Sequence, residues 1–294
     1  MLALAAALLP AADAGTAPRC FGAAARDHIQ RCHNPRLLRM VRPTPAQALR
    51  LPNAPCRIPR RQYPLVCEFG APENTAYKRI ALIGDSHATH WRSALGPVAE
   101  QRGWAGFSLT RAGCALSAAT PRLRDGLTGE CLRWRAAVHA WLTAHPGVDT
   151  LFVSQHRARV KGGYEAEVAG YLEAWRTLPA SIERVVVVRD TPKRPSVVRR
   201  CVVAAIARGA NAGRACAMAR AAVLRPDPAA DAARRDGSRR VRLVDMTRYF
   251  CGASRCFPVV GGALVHKDET HITAANGATL APMLGARLRA LGLR

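Results

Sequence analysis

The sequence has 294 residues, which predicts one α/β domain with an N-terminal extension rather than two full domains. With 49% hydrophobic and 22% charged residues, and no apolar run longer than Met1–Ala12, the composition excludes a disordered chain and a polytopic membrane protein. The formal net charge is +24, but the basic residues are scattered and aromatic residues make up only 5%, so we expect attraction to anionic surfaces and no nucleic-acid binding.

Residues 1–14 have the apolar run and small-residue cleavage pattern of a secretory signal peptide. The positive charges that normally precede such a run are missing. The segment is therefore either a signal peptide with a misassigned start or the remaining end of a membrane segment from a longer protein. Both interpretations place the rest of the chain in the periplasm or another extracytoplasmic space, with tethering to the membrane at the N-terminus as one option.

Residues 15–75 form a Cys- and Pro-rich lead-in with little periodicity, for which we predict loops and one short helix near residues 44–49. The chain contains ten cysteines and no Cys-x-x-Cys pair, which favours disulfides in an oxidising compartment over a zinc site. Sequence alone does not fix the connectivity. The candidate pairs are sequence neighbours: Cys20–Cys32, Cys56–Cys67, Cys114–Cys131, Cys201–Cys216 and Cys251–Cys256.

From residue 76 to 294 short apolar runs alternate with helical patterns, which predicts a three-layer α/β/α sandwich with a parallel sheet of about five strands. Residues 225–240 are polar and predict a surface excursion. Ligands of such sheets bind at the carboxyl ends of strands. The predicted strands are 79–83, 106–109, 150–154, 184–189 and 241–244, and the predicted helices are 88–102, 131–144, 164–178, 197–208, 215–224 and 274–291.

The first core strand runs directly into Gly84-Asp85-Ser86-His87 and then into a helix. Ser86 is thus predicted at a helix N-terminus, where backbone amides and the helix dipole stabilise a developing oxyanion. This is the position of a nucleophile, although a serine here can also simply cap the helix. We expect Asp85 to hydrogen-bond local backbone, and His87 and His90 either to line a pocket or to play a structural hydrogen-bonding role.

A second motif, Asp268-Glu-Thr-His271, lies directly before the last predicted helix. A carboxylate three residues before a histidine can hold one ring nitrogen while the other faces a hydroxyl group. Each motif is common by chance, but the pair of motifs at these two places is far more specific. Together they predict an acyl-transfer site.

These stretches resemble the SGNH (GDSL-type) hydrolase superfamily, and within it the SGNH domain of carbohydrate O-acyltransferases that are linked to acyltransferase-3 membrane domains. The resemblance covers residues from about 56 to the end. It implies Ser86 as nucleophile, His271 as base and Asp268 as its orienting carboxylate, with the amides of Ser86 and Gly113 as oxyanion donors. The matching stretches are Ala81–Ala88, Gly113-Cys114 with Cys131 and Trp134, Val185–Pro192, Val244-Asp245 and Asp268–Ala274.

The sequence departs from the superfamily where its Gly-x-Asn-Asp block would supply an oxyanion-hole asparagine. Here the strand is followed by Gln155-His156-Arg157. Gln155 is a candidate third donor, and a solvated loop residue is the alternative. Several basic residues in the loops after the strands either contact an anionic glycan or form a solvated rim: Arg111, Arg157, Arg159, Lys193 and Arg194.

The sequence and the resemblance together predict an extracytoplasmic serine-dependent O-acyltransferase, with acetyl as the expected acyl group and cell-envelope polysaccharide as the acceptor. A carbohydrate acetylesterase using the same triad is one alternative, and an inactive glycan-binding module is another. We predict no bound cofactor and no metal, with the acyl donor supplied as a substrate. The expected partners are the glycan acceptor and a membrane acyltransferase-3 domain, fused or separate.

Overall fold

The computed structural model describes residues 17–28, 32–52, 54, 56, 59–60, 62–124 and 126–293. The predicted signal or membrane segment, 1–14, lies outside these residues. None of the helices in the described part combines the length and the apolar character that a membrane crossing needs.

The strands and helices alternate through the core of the chain, as the pattern of apolar runs predicts. The strands are β1 (Pro59–Arg60), β2 (Val66–Gly70), β3 (Lys78–Gly84), β4 (Trp104–Thr110), β5 (Val148–Ser154), β6 (Arg184–Val188), β7 (Met218–Ala219), β8 (Val241–Val244), β9 (Arg255–Cys256), β10 (Val259–Val260) and β11 (Ala263–Leu264). The helices are α1 (Pro45–Arg50), α2 (Ser86–Gln101), α3 (Leu127–Ala144), α4 (Gly163–Arg176), α5 (Val197–Ala207), α6 (Ala212–Ala215), α7 (Arg220–Val223), α8 (Pro228–Asp236) and α9 (Ala274–Ala290).

The central sheet has the strand order β1-β2-β4-β3-β5-β6-β8 within the described residues. Strands β4, β3, β5, β6 and β8 are parallel, and β2 pairs with β4 antiparallel. From β3 the chain first adds β4 on one side and then β5 on the other. The strand order therefore reverses between β3 and β5, and the carboxyl ends of these two strands form the crevice in which such sheets bind ligands.

Helices cover both faces of the sheet, which gives the predicted three layers. One core lies between the sheet and helices α2, α5 and α9, and the other lies between the sheet and helices α3, α4 and α8. Strand β3 shows why: Ile80 and Leu82 point into the first core, and Ala81 and Ile83 point into the second. A run of consecutive apolar residues is typical of a strand that is covered on both faces.

Three predictions about the elements were wrong. The lead-in is more than loops and one short helix, because it contributes β1 and β2 to one edge of the sheet, beside the five predicted parallel strands. Residues 225–240 are not only a surface excursion, since α8 packs Ala229 and Ala232 into the second core and contacts α4. The helix predicted over 215–224 is divided into the short helices α6 and α7, with the β7 strand between them.

The five disulfides join the neighbouring cysteines: Cys20–Cys32, Cys56–Cys67, Cys114–Cys131, Cys201–Cys216 and Cys251–Cys256. The Cys114–Cys131 bridge ties the loop after β4 to α3, and the Cys201–Cys216 bridge ties α5 to the segment after α6. Each native bridge of this kind stabilises a fold by about 2–4 kcal/mol. The loop at the carboxyl end of β4 is therefore held by a covalent link as well as by packing.

We expect Gly84→Ala to destabilise the fold by about 3 kcal/mol, since it combines overpacking with strain at a positive φ. Gly84 has φ +151°, and a Cβ atom there would lie 2.0 Å from the Ser154 carbonyl oxygen on β5. Gly96→Ala is the matched control, because no heavy atom lies within 4 Å of its added Cβ and alanine favours the helix. Denaturant unfolding of both variants measures the difference; equal stability would contradict the close approach of β3 and β5.

Candidate active site

Ser86 occupies the first position of α2, immediately after β3. The Asp85 carboxylate caps the helix by accepting a hydrogen bond from the His87 amide at 2.8 Å, which agrees with the prediction that Asp85 hydrogen-bonds local backbone. It also accepts from the His156 amide at 3.0 Å, which ties the loop after β5 to this turn. The free amides at the start of this 16-residue helix and its dipole therefore lie next to the Ser86 hydroxyl.

The structure brings Ser86, His271 and Asp268 into one chain of hydrogen bonds. Ser86 Oγ lies 2.8 Å from His271 Nε2, and His271 Nδ1 lies 2.8 Å from Asp268 Oδ2 and 3.0 Å from Oδ1. The three residues are half-buried, so the hydroxyl group can meet a substrate from solvent. A serine, an imidazole and a carboxylate in this order form the geometry of a nucleophile activated by an oriented base.

The loop before α9 holds the carboxylate of Asp268 in place. Asp268 Oδ1 accepts from the amides of Thr270 at 2.9 Å and His271 at 2.8 Å. Burial raises the pKa of Asp268, but the hydrogen bonds from the His271 ring and from these two amides outweigh it and hold the pKa below its ordinary value. Arg194, predicted either to contact a glycan or to belong to a solvated rim, is instead buried and donates to the Asp268 carbonyl oxygen at 2.8 Å.

Gly113, the predicted second oxyanion donor, lies in the loop between β4 and the Cys114–Cys131 bridge. This loop is joined to the Ser86 turn by the Arg111 amide, which donates to the Gly84 carbonyl oxygen at 3.1 Å. Gly113 is exposed with φ +70°, and a Cβ there would meet no atom within 4 Å. Its role stays a prediction. The Arg111 guanidinium pairs with Glu130.

Gln155, the candidate third donor, follows β5 directly at the crevice between β3 and β5. Its side chain is only 3% exposed, and its amide oxygen and nitrogen have no hydrogen-bond partner among the described residues. A buried amide group without a partner is costly in a fold. The prediction of a solvated loop residue was therefore wrong as to burial, while the oxyanion role of Gln155 stays a prediction.

A second histidine–carboxylate cluster, which the sequence analysis did not identify, lies beside the serine. Asp190, two residues after β6, accepts from His87 Nδ1 at 2.5 Å and from His156 Nδ1 at 2.9 Å. The His87 and His271 ring centroids are 5.0 Å apart. Position was one sequence signal, since His156 and Asp190 each lie just beyond a strand end where a parallel sheet gathers its polar groups, and Asp190 also lies in the matching stretch Val185–Pro192.

Asp190 is itself held by Asp227, the N-cap of α8, which accepts from the Asp190 amide at 2.8 Å. Burial, and then the negative charge of Asp190, raise the pKa of Asp227 to about 6. Burial also raises the pKa of Asp190, but the charges and hydrogen bonds of His87 and His156 outweigh it and lower that pKa. Asp190 is thus the member of this carboxylate pair that stays ionised to lower pH.

Other titratable groups near the triad are kept neutral by burial. His90 is fully buried without a hydrogen-bond partner among the described residues, and burial lowers its pKa well below the ordinary value. Burial, followed by the charge of Arg194, lowers the pKa of His266 to about 3. His87, His156 and Asp190 are the described residues that could together hold a metal ion. The absence of a metal stays a prediction.

Asp190→Asn is expected to lower the pKa of His87. Burial lowers that pKa in the wild-type protein, but the charge and hydrogen bond of Asp190 outweigh burial and raise it above 6.5. The raised pKa of His87 stabilises the fold below about pH 6.5, and this contribution is lost as pH rises through the folded pKa. The lowered pKa of Asp190 stabilises the fold above about pH 3.8, and this contribution is lost as pH falls.

We therefore expect the wild-type protein to exceed Asp190→Asn in free energy of unfolding most clearly between about pH 4 and pH 6.5. Denaturant unfolding across pH measures this difference, and NMR titration of the histidine rings measures the pKa of His87. Glu183→Gln, which changes an exposed carboxylate, is the control. A stability difference that stays constant across pH, with no change in the titration of His87, would contradict the assignment.

Comparison with known proteins shows the family. A family model described as an SGNH domain fused to AT3 domains matches residues 55–286. The chain belongs to this SGNH domain family. A search of curated protein sequences finds no match.

The SGNH domain also has the fold of a solved structure, the lipopolysaccharide acetyltransferase periplasmic domain of Salmonella ser. Paratyphi A. The two chains are 10% identical with a TM-score of 0.56, and the match covers 73% of this chain and 85% of that one. Membership of the family identifies the protein as an enzyme of the acyltransferase or esterase type that acts on ester bonds.

Proposed function

We propose that this SGNH domain is an extracytoplasmic O-acyltransferase that transfers acyl groups, acetyl in particular, to a cell-envelope polysaccharide through an acyl-serine. The observation that supports it most is the continuous hydrogen-bond chain from Ser86 through His271 to Asp268 at the start of α2. An inactive glycan-binding module would have no need of this complete arrangement.

In the first half-reaction His271 Nε2 takes the proton of the Ser86 hydroxyl group while Oγ attacks the acyl carbonyl carbon of the donor. The bond from that carbon to the leaving group breaks, and His271 returns the proton to the leaving group. Asp268 stabilises the imidazolium that exists between these events. The Ser86 amide and the Gly113 amide stabilise the oxyanion, with Gln155 as the candidate third donor.

In the second half-reaction a sugar hydroxyl group gives its proton to His271 and attacks the acyl-serine. The ester bond to Ser86 Oγ breaks, and the proton returns from His271 to Oγ. The same steps with water in place of the sugar describe an acetylesterase. The half-exposed positions of His271 and Asp268, at 22% and 39% side-chain exposure, leave room for water and keep this second function open.

The family description supports the proposed partner, because domains of this family are fused to AT3 domains. An enzyme that uses acyl groups outside the cytoplasm needs them carried across the membrane. We therefore assign that step to a membrane acyltransferase-3 domain, in the same chain or a separate one. The five disulfides support an oxidising, extracytoplasmic location.

The experiment that tests this function follows both products of acetyl transfer. The oxidised protein is incubated with p-nitrophenyl acetate and an oligosaccharide acceptor, and acetyl-oligosaccharide and free acetate are measured by mass spectrometry. We expect acetyl-oligosaccharide from the wild-type protein and none from Ser86→Ala. Release of acetate alone at every acceptor concentration would assign the esterase function instead, and no release of p-nitrophenol would contradict both.

A further inference from the structure

Six basic residues line a cavity of about 880 Å³ next to the site. We call it the cationic cavity, and its basic residues are Arg122, Arg124, Arg157, Arg159, Lys193 and Arg225. The five arginines form no ion pair with a carboxylate of the described residues, and all five are exposed. Lys193 lies 3.7 Å from Glu269.

The backbone holds two of these arginines side by side. The loop after Pro121 and the segment after β5 pair as a short antiparallel bridge, in which the Arg122 amide donates to the Arg159 carbonyl oxygen at 2.7 Å. The Lys161 amide donates to the Thr120 carbonyl oxygen at 3.0 Å and closes the same pair of segments. The backbone segments that carry the two arginine side chains are therefore held together at one wall of the cavity.

The three carboxylates that line the cavity are fewer than its six basic residues, and each carboxylate makes its hydrogen bonds to other parts of the fold. Glu167 accepts from the Ala158 amide at 2.6 Å and from the Tyr171 hydroxyl group at 3.2 Å. Asp227 accepts from the amides at the start of α8, and Asp190 accepts from His87 and His156. The cavity therefore presents a net positive field to whatever enters it.

The cavity shares its wall with the catalytic site. Asp190 and His156 line the cavity, and Asp190 contacts His87, the residue that follows Ser86. Thr191, also in the cavity wall, donates from its hydroxyl group to the carbonyl oxygen of Thr270, the residue before His271, at 3.4 Å. A saccharide long enough to span this wall could occupy both places at once.

We propose that the cationic cavity binds a carboxylate or phosphate group carried by the acceptor saccharide, so that the substrate class is an acidic glycan. This inference rests on the proposed function. Arginine clusters recognise such oxyanions by charge-assisted, bidentate hydrogen bonds. The described lining residues include no Phe, Tyr or Trp, which disfavours base stacking, and the concave shape favours a chain end or short segment over a flat membrane surface.

The test measures binding in Ser86→Ala protein, where catalysis does not complicate the result. Isothermal titration compares tetragalacturonate, phosphorylated maltotetraose and uncharged maltotetraose. We expect one or both acidic probes to bind at least about tenfold more tightly than maltotetraose, with affinity that falls as salt rises. The probe that binds more tightly identifies carboxylate or phosphate, and equal affinity for all three probes would overturn the proposal.

The matched variants place the binding in the cavity. Arg122→Gln with Arg159→Gln, in the same Ser86→Ala background, is expected to weaken acidic-probe binding about tenfold or more and to remove the preference over maltotetraose. The control changes two exposed arginines elsewhere, Arg208→Gln with Arg239→Gln. An equal loss in the control would overturn the proposal. Sedimentation with phosphatidylglycerol vesicles tests for binding to a membrane surface instead. If the cavity variant no longer sediments with the vesicles but still binds the acidic oligosaccharides, the proposal is overturned.

This design separates the two proposals. The preference of Ser86→Ala protein for acidic probes depends on the cationic cavity, whereas acetyl transfer by the wild-type protein depends on the triad. If Ser86→Ala protein prefers the acidic probes but the wild-type protein releases no p-nitrophenol, the cavity assignment stands and the proposed function is contradicted. Acetyl transfer to both maltotetraose and tetragalacturonate, together with equal binding affinity for the two saccharides, would support the proposed function and contradict the cavity assignment.

Discussion

Replacing Ser86 with alanine is expected to lower kcat for p-nitrophenyl acetate by about 10⁴-fold or more, because the variant has no oxygen to carry the acyl group. The oxyanion amides and the substrate site remain, so binding of an acceptor should change little. The measurement is steady-state release of p-nitrophenol by oxidised wild-type and variant proteins. The substitution removes one half-buried hydroxyl group at a helix start, and we expect the variant to keep the wild-type fold.

Ser254→Ala is the matched control for this prediction, because Ser254 is exposed and its hydroxyl group makes no side-chain hydrogen bond that the structure shows. It should keep wild-type turnover. Near-ultraviolet circular dichroism of both variants checks that the fold is unchanged. If Ser86→Ala retained more than about one tenth of wild-type kcat, the nucleophile would have to be another group.

Asp268→Asn is expected to lower kcat by about 10³–10⁴-fold with little change in KM. The amide can still accept hydrogen bonds from the Thr270 and His271 amides, so the loop should keep its shape. It can also donate to His271 Nδ1, which favours the tautomer with the proton on Nε2. That nitrogen then cannot accept the proton of Ser86, and the imidazolium loses the charge that stabilises it.

Glu269→Gln, which neutralises the exposed neighbouring carboxylate, is the control for Asp268→Asn. The stability of the two variants offers a second check. Because the pKa of Asp268 is lowered in the fold, its carboxylate stabilises the wild-type protein above about pH 3.8, and this contribution is lost as pH falls. Wild-type kcat in Asp268→Asn, or an equal loss in Glu269→Gln, would contradict the proposed role of Asp268.

The parallel core of the fold could be predicted from the sequence because local patterns determine it. All five predicted core strands are present, and Ile80 and Ile83 show the continuous apolar pattern of a strand covered on both faces. Strand β2 could not be predicted in the same way, since Cys67 and Phe69 lie in a Pro-rich segment and become a strand by pairing with β4. That pairing is a tertiary contact.

Helix α8 shows a local signal that was overridden by composition. Asp227 as N-cap, Pro228 at the first helical position and Gly237 at the end are ordinary helix boundaries. The polar residues between them favoured a surface excursion. Their burial depends on α4, which lies more than fifty residues earlier in the chain, and no short window of sequence contains that information.

In the candidate site, too, some residues could be predicted from the sequence and others could not. Ser86, Asp268 and His271 belong to two short motifs, so their meeting could be predicted. The Asp190 cluster could not, because His87, His156 and Asp190 come from the ends of three different strands and no motif joins them. The cationic cavity could be predicted in part, since Arg157, Arg159 and Lys193 follow predicted strands and were candidate glycan contacts. Their position in one cavity with the arginine of the loop after Pro121 depends on the convergence of separate loops, which no short window of sequence contains.

The proposed mechanism depends on an acyl-serine, which mass spectrometry of the trapped intermediate can detect. Wild-type protein is mixed with p-nitrophenyl acetate, quenched in acid within the first turnover and digested. We expect one acetyl group on the peptide that contains Ser86, absent in Ser86→Ala and removed when an oligosaccharide acceptor is added before the quench. An acetyl group on another residue, or turnover at the wild-type rate with no acetylated Ser86 at any time, would contradict it.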